Sequence, residues 1–470
     1  MPHPELLLRT RLKSALARAF GAEHQDTDPL LRRSDRAHYQ VNVAMSLGKA
    51  LKRPPREVAQ ALLAELDLKD LCSEVEVAGP GFINLTLRDE VLAQALSDML
   101  AQADLGVPKA ELPDVVVVDY ASPNIAKEMH VGHLRSSIIG DTLCRVLEFR
   151  GHRVIRQNHI GDWGTPFGML LEHLLDLKQE GAAELDPSQL GDFYRAARVK
   201  FDGEPGFADR ARARVVSLQA GDTATLALWQ QFVTGSKRYM AAVFERLGVR
   251  LVDADVRGEG FFNPKLPEIA ADLEARGIAV VDDGALCVFP PGFVGREGEP
   301  LPLIVRKKDG GFGYGATDLA ALRFRHEVLG GTRLLYVVGT TQQQHLAMVF
   351  EVAKMAGWLA PPVRAEHVGF GSVLGDDRKM LKSRSGENVK LIELLSFGRA
   401  LTDVETTLEP HKLCGFLYGL ASSFSSFFDA CPVLKSEPAE RASRLALCEL
   451  TARTLATGLD LLGIEAPERM

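Results

Sequence analysis

The run His130-Val131-Gly132-His133 sets two imidazoles three residues apart with a glycine between them. Residues three apart share a helix face. On a first turn, two imidazoles can donate hydrogen bonds to phosphate oxygens as charge develops in a transition state. Gly132 leaves no side chain, so an adenine or ribose can approach the backbone. The preceding Val115-Val116-Val117-Val118 reads as a buried parallel strand. The apolar positions that follow (Ile138, Ile139, Leu143, Val146, Leu147) predict a helix ending near Gly151. A strand feeding a helix N-terminus offers free backbone N–H groups and the positive dipole end at the strand's C-terminal edge. Open α/β sheets bind nucleotides there. A second group, Lys379-Met380-Leu381-Lys382-Ser383 with Arg384 and Gly386 behind it, supplies two ammonium groups and a hydroxyl. That set suits a triphosphate whose pyrophosphate must leave. Alone, the first motif is four common residues and the second a solvated basic loop. The strand–turn–helix context favours nucleotide chemistry for the first.

At 470 residues the chain predicts two to four domains. Hydrophobic residues at 46% and charged residues at 25% are ordinary globular usage, which excludes disordered and collagen-like classes. With 55 basic and 62 acidic residues the formal charge is −7, so any nucleic-acid contact must come from local patches. The six cysteines form no CxxC pair, which argues against a zinc ribbon or a redox dithiol and fits a reducing cytoplasmic location. The N-terminal apolar residues are interrupted by Arg9, Arg11, Lys13 and Arg18, the pattern of an amphipathic helix and not of a signal peptide. No run of about 18 apolar residues occurs, so neither a membrane span nor a membrane partner is expected.

The elements divide three ways. Residues 1–110 predict a small α+β domain, with a helix burying Val58, Leu62 and Leu66 and two strands separated by Gly79-Pro80-Gly81. Residues 111–398 alternate strands and helices, the mark of a doubly wound α/β domain, with a mostly helical insertion at about 171–255. Residues 399–470 are helical. There Leu413, Phe416, Leu417, Leu420, Phe424, Phe427 and Phe428 predict one apolar face, and Leu445, Cys448, Ala452, Leu455, Leu459 and Leu462 a second. Residues 401–470 carry 6 basic and 10 acidic side chains.

HxGH after a first strand, with KMLKS some 250 residues on, resembles the class I aminoacyl-tRNA synthetases, and most closely arginyl-tRNA synthetase. ASPNIAKEMHVGHLRSSIIGD, GHRVIRQNHIGDWGTPFGML, IVRKKDGGFGYGATDLAALRFR, HVGFGSVLGDDRKMLKSRSG, VAGPGFINLTL and GLDLLGIEAPERM all read like that family. The resemblance implies a Rossmann-like catalytic domain flanked by an N-terminal α+β domain that contacts tRNA and a C-terminal helical anticodon-binding-like domain. It implies activation of arginine by ATP, with Mg2+ as the nucleotide's counter-ion and no protein-bound metal, then transfer to the 3′ end of tRNA. His130, Gly132 and His133 would bind ATP, with Lys379, Lys382 and Ser383 on its phosphates and Lys127 nearby. His130, His133, Lys127, Lys379 and Lys382 would be catalytic. Leu381 stands where the family usually has Ser.

Arginine selection needs anions and planar acceptors, because guanidinium is a fork of five donors. The resemblance points to Ser122, Asn124, Glu259, Tyr314, Asp318 and Gln342. If a helix begins at GYGATDLAALRF, Tyr314 and Asp318 share one face. A surface turn acid and a helix N-terminal acid are the plain alternatives for Glu259 and Asp318. Gly339 and Thr341 stand where the family usually has an acid and a base. His159 and Asp162 form another His/acid pair, which a strand-end turn packed by Trp163 explains as well as catalysis does. Cys144 and Cys287 fall in apolar runs and read as core.

After the lysine loop the chain jumps almost directly to the last helices, omitting much of the family's anticodon-binding bundle. Two functions stay open: an arginine–tRNA ligase with a shortened C-terminal region, or a paralogue that makes arginyl-adenylate for another acceptor or binds RNA without charging it. A monomer is expected, with the C-terminal helices as the surface available for a dimer.

Overall fold

A computed structural model describes residues 4–467 except 35, 126–128, 130, 164, 180–189, 296 and 372–390. Lys127, His130, Lys379, Lys382 and Ser383 therefore lie outside the described residues. Two compact units emerge, one from residues 4–108, 391–403 and 411–458, the other from 109–371, 404–410 and 459–467.

In the first unit, α1 (Pro4–Phe20), α2 (Val43–Leu51), α3 (Pro55–Ala64) and α4 (Asp89–Ala101) accompany an antiparallel sheet. Its strands are β1 (Leu31–Arg33), β2 (Tyr39–Val41), β3 (Cys72–Ala78) and β4 (Phe82–Leu87), in the order β1-β2-β4-β3. Leu8, Leu12 and Leu16 of α1 and Tyr39, Ile83 and Leu85 of the sheet are fully buried. Pro55 starts α3, where a missing N–H costs nothing. The helix buries Val58 and Leu62 as expected but ends at Ala64, so Leu66 falls beyond it, half-buried, and Leu68 takes the inward place.

The same unit holds α15 (His411–Ala430) and most of α16 (Pro438–Leu462). Their expected apolar faces are only partly right. Leu413, Leu417 and Leu420 are buried, but Phe424 and Phe427 are half-buried and Phe428 is 61% exposed. On α16 the buried residues are Leu450, Thr451, Thr454, Gly458 and Leu461, while Leu445 is exposed. The stripe is displaced because the helices meet through small residues. A Cβ on Gly458 would sit 2.4 Å from Leu417 Cδ2.

The second unit is built on a parallel sheet of β5 (Val115–Asp119), β6 (Arg153–Gln157), β10 (Arg333–Gly339) and β11 (Arg364–Phe370), in the order β11-β10-β5-β6. Successive strands depart from β5 on one side and from β10 on the other, so the crevice between their C-terminal ends is the switch point where such sheets take ligands. Helix α5 (Val131–Phe149) follows β5 and lies tight against it, since a Cβ on Gly140 would come within 2.3 Å of Tyr120 Cγ. Ser136 of α5 accepts from Ala121 N (2.9 Å) and donates to Val337 O (2.5 Å), tying the ends of β5 and β10 together. Asp141 accepts from Tyr120 Oη (3.1 Å) and Arg145 Nε (2.7 Å), and Arg145 also donates to Asp460 O (2.9 Å).

Between β6 and β7 come α6 (Thr165–Gln179), α7 (Leu190–Gly203), α8 (Pro205–Gln219), α9 (Thr223–Arg246), α10 (Glu259–Phe262) and α11 (Leu266–Ala275). A small antiparallel sheet, β7 (Val280–Asp282), β8 (Ala285–Val288) and β9 (Leu303–Arg306), precedes α12 (Tyr314–Glu327). Helix α13 (Gln343–Met355) joins β10 to β11, and α14 (Phe397–Thr407) follows. Phe262, Leu266, Leu286, Val305, Leu319, Leu334 and Val349 share one core. Cys144 and Cys287 are buried, as read from their apolar runs. Among the described residues no helix is long and apolar enough to cross a membrane.

Candidate active site

The chain leaves β5 through a strained turn. Ala121 and Ser122 have φ of 69° and 43°, a region non-glycine residues seldom enter and usually hold only under outside constraint. Asp119 supplies that constraint. Its Oδ1 accepts from Ser122 Oγ (3.3 Å) and His159 N (3.1 Å), and its Oδ2 pairs with Arg325 at 2.9 Å. Both charges are buried, and Arg325 also lies 4.8 Å from the centre of the Tyr336 ring. Removing one partner of such a pair strands the other charge, at about 3–5 kcal/mol.

Beyond β6, residues 158–162 run between two other segments and fix both. On one side Asn124 bridges to Gly161, with Ile125 N on Gly161 O (3.0 Å) and Gly161 N on Pro123 O (3.2 Å). On the other, Asn158 bridges to Val256 and Glu259 N donates to Ile160 O (3.1 Å). Ser122 N donates to Asn158 Oδ1 (3.1 Å). A Cβ at Gly161 would lie 2.1 Å from Asn124 Oδ1, so a larger residue there must push the Asn124 side chain aside. His159 packs on Phe262 at 5.6 Å between ring centres, and burial pushes its imidazole below the ordinary value. That neutral, packed ring matches the turn reading of the His/acid pair for His159.

The carboxylates gather at this edge. Glu259 opens α10, and burial pushes it up to about 8, helped by the negative charges of Asp162 and Asp318. Asp162 is buried and is itself raised to about 6 by burial, against the hydrogen bond from Gly260 N (2.8 Å). Asp318 sits one turn into α12, which begins at Tyr314 as the sequence predicts. Its Oδ2 lies 2.6 Å from His345 Nε2, and that hydrogen bond raises the His345 imidazole. Tyr314 is exposed, in the field of Glu259 and Asp318. Its acid neighbours raise Glu259, and a bound guanidinium would offset that repulsion.

The structure thus brings Glu259, Asp318 and Tyr314 together, and sets Ser122 and Asn124 on the strained loop after β5. Gln342 is exposed in the turn before α13, three residues from His345. Gly132 and His133 lie in the first turn of α5, half-exposed, with His133 O accepting from Ser137 Oγ (2.8 Å). Sequence reasoning missed Asp119 and Arg325, and undervalued Asp162. Only the two short neighbours GDWG and RGEGFF hinted at the last, since their glycines permit close backbone approach. Among the described residues no group of three or more His, Cys, Asp or Glu is placed to hold a metal ion.

Comparison with known proteins identifies the family. Residues 95–409 match the model for tRNA synthetases class I (R), catalytic domain; residues 372–470 match the DALR anticodon binding domain; residues 6–87 match the arginyl tRNA synthetase N terminal domain. The arginine–tRNA ligase of Thermobifida fusca (strain YX) is 43% identical over 583 aligned positions, covering 100% of both chains. That of Laribacter hongkongensis (strain HLHK9) is 40% identical, covering 99% of each. The first alignment is longer than this chain, so more than a hundred positions of the relative have no counterpart here. The fold is similar to that of the arginyl-tRNA synthetases of Plasmodium falciparum (TM-score 0.83, 24% identity, 100% of both chains) and Thermus thermophilus (TM-score 0.80, 22% identity, 98% of this chain and 100% of that one). Matched along its whole length by arginine–tRNA ligases and by three family models in sequence order, the chain belongs to the arginyl-tRNA synthetase family.

Proposed function

We propose that this protein activates arginine with ATP and transfers the arginyl group to the 3′ end of its tRNA. The observation that carries the reading is the gathering of Asp162, Glu259 and Asp318 beside the switch point of the parallel sheet, where its acid neighbours and burial push Glu259 above the ordinary carboxylate value. A planar, permanently charged guanidinium satisfies such a set, donating to carboxylates at both edges of its fork. Glu259 and Asp318 take the guanidinium, Tyr314 and Gln342 border it, and Ser122 and Asn124 hold the amino-acid end near the start of α5. There His133, with His130, donates to the α-phosphate as the arginine carboxylate attacks it. Gly132 keeps the backbone open to the nucleotide. Lys127, Lys379, Lys382 and Ser383 hold the departing pyrophosphate, with Mg2+ as its counter-ion. Adenylate formation makes a carboxyl–phosphorus anhydride and expels pyrophosphate. Transfer then forms the ester to a terminal ribose hydroxyl of tRNA and releases AMP. Residues 1–110, 111–398 and 399–470 serve as the N-terminal tRNA-contacting, catalytic and shortened helical domains of a cytoplasmic monomer.

The paralogue alternative is disfavoured, because the relatives matched end to end are themselves arginine–tRNA ligases. The deciding experiment is aminoacylation of total tRNA with each amino acid in turn, with and without ATP. Arginine alone should be esterified, and only with ATP. Arginyl-adenylate formation without transfer to any tRNA would restore the paralogue.

A further inference from the structure

We propose that Asp162 is a positioning residue for arginine selection, holding the first turn of α10 so that Glu259 meets the guanidinium. The inference rests on the assignment of Glu259 above. Helix α10 spans only Glu259–Phe262 and cannot fix its own start. Three contacts fix it instead. Glu259 N is spent on Ile160 O at 3.1 Å. Gly260 N is spent on Asp162 Oδ1 at 2.8 Å. Gly258 lies so close that a Cβ there would come within 2.1 Å of Asp162 Oδ2. Asp162 is held in turn by the inserted helices, since Trp229 of α9 donates its indole N–H to Asp162 O (2.7 Å) and meets Trp163 edge-on at 5.6 Å. Gly260 fits beside both indoles, its Cβ position 3.1 Å from Trp163 and 3.3 Å from Trp229. The chain of contact therefore runs from α9 through Trp229, Asp162 and Gly260 to Glu259. Asp162 has an electrostatic part as well. The charged groups facing this pair are Asp318 of α12 and Lys237 of α9, and the negative charge of Asp162 discourages ionisation of Glu259.

The test is steady-state ATP–pyrophosphate exchange, with tRNA present, on Asp162→Ala, Asp162→Asn and Glu259→Gln. Asp162→Ala should raise KM for arginine about 30-fold or more, with KM for ATP changed less than about threefold. Asp162→Asn keeps an acceptor for Gly260 N and should recover most of that loss. It should also lower the midpoint of the pH dependence of KM for arginine by about half a unit or more, because one negative charge beside Glu259 is gone. Equal defects in the two Asp162 variants, parallel rises in both KM values, or an unmoved midpoint in Asp162→Asn would each overturn the proposal. Should Asp162→Ala fail to fold, the midpoint in Asp162→Asn decides alone. Glu259→Gln separates the two levels. If it leaves KM for arginine unchanged, the assignment of Glu259 falls and this proposal with it. If it raises KM while the Asp162 variants do not, only the positioning role falls.

Discussion

Binding of arginine should release a proton at neutral pH, and its affinity should climb as pH rises through the titration of Glu259. Burial and two neighbouring acids push that carboxyl up to about 8 in the free protein. About a tenth of molecules then carry an ionised Glu259 at neutral pH. Guanidinium needs the ionised form, so arginine must displace the proton. With a midpoint of about 8, KM for arginine should fall nearly tenfold per pH unit below it and level off above, close to a hundredfold between about pH 6 and 9. The assay is KM for arginine by ATP–pyrophosphate exchange across that range, with KM for ATP as the control. Titration calorimetry in buffers of different ionisation enthalpy should show uptake by buffer of close to one proton at pH 7.

The same shift has a sign for stability. The folded value lies above the unfolded one, so the group's contribution is intact below the unfolded value of about 4.5 and is lost as pH rises through about 8. Glu259→Gln should therefore stabilise the arginine-free protein at pH 9, by up to about 4 kcal/mol, and leave it nearly unchanged at pH 4. It should also abolish the pH slope of KM. A flat KM for arginine between pH 6 and 9 in the unsubstituted enzyme would refute the reasoning, as would a Glu259→Gln protein no more stable at pH 9 than its parent.

Three further outcomes are expected. His133→Ala should slow adenylate formation by about 10²–10³-fold, as for loss of one oxyanion-type donor, in a protein with an unchanged melting profile; full activity in that folded variant would remove His133 from catalysis. Gly161→Ala forces Asn124 aside, its Cβ lying 2.1 Å from Oδ1, and should cost about 1–3 kcal/mol in urea unfolding together with a raised KM for arginine; a neutral substitution would show that the two strands are not registered as described. Changing anticodon bases in a tRNA transcript should alter arginylation little, because residues 401–470 carry 6 basic against 10 acidic side chains; a loss of about a hundredfold or more would show that the helices matching the DALR model still read it.

What could be read in advance was local. Four successive valines and the periodic apolar positions after HxGH placed β5 and α5, and Tyr314 and Asp318 fell one turn apart on α12 because a helix start is written in its own residues. The errors were of two kinds. On α16 the buried stripe sets Thr451, Thr454 and Gly458 beside Leu450 and Leu461, small size at Gly458 lets α15 approach, and periodicity of large apolar residues does not register size. The other misses join distant segments. Arg325 looks like a solvated helix residue until Asp119, two hundred positions earlier, is found against it. Asp162 looks like a turn acid until Gly258 and Gly260 are brought to its carboxylate by backbone pairing of residues 158–160 with 255–259.

That backbone pairing also bears on why the site should prefer arginine to lysine. Glu259 and Asp162 are carried by two segments whose spacing is set by main-chain hydrogen bonds and by closely packed glycines, and Asp318 faces them from α12. Lysine would bring a point charge that is strongly hydrated, whereas guanidinium is planar, weakly hydrated and carries donors along both edges. An ammonium satisfying one carboxylate would leave another buried acceptor unpaired, at about 1–3 kcal/mol. Arginine should therefore be favoured over lysine by hydrogen bonding, and the preference should narrow in Glu259→Gln. Equal activation of arginine and lysine by the unsubstituted enzyme in pyrophosphate exchange would contradict this account of the pocket.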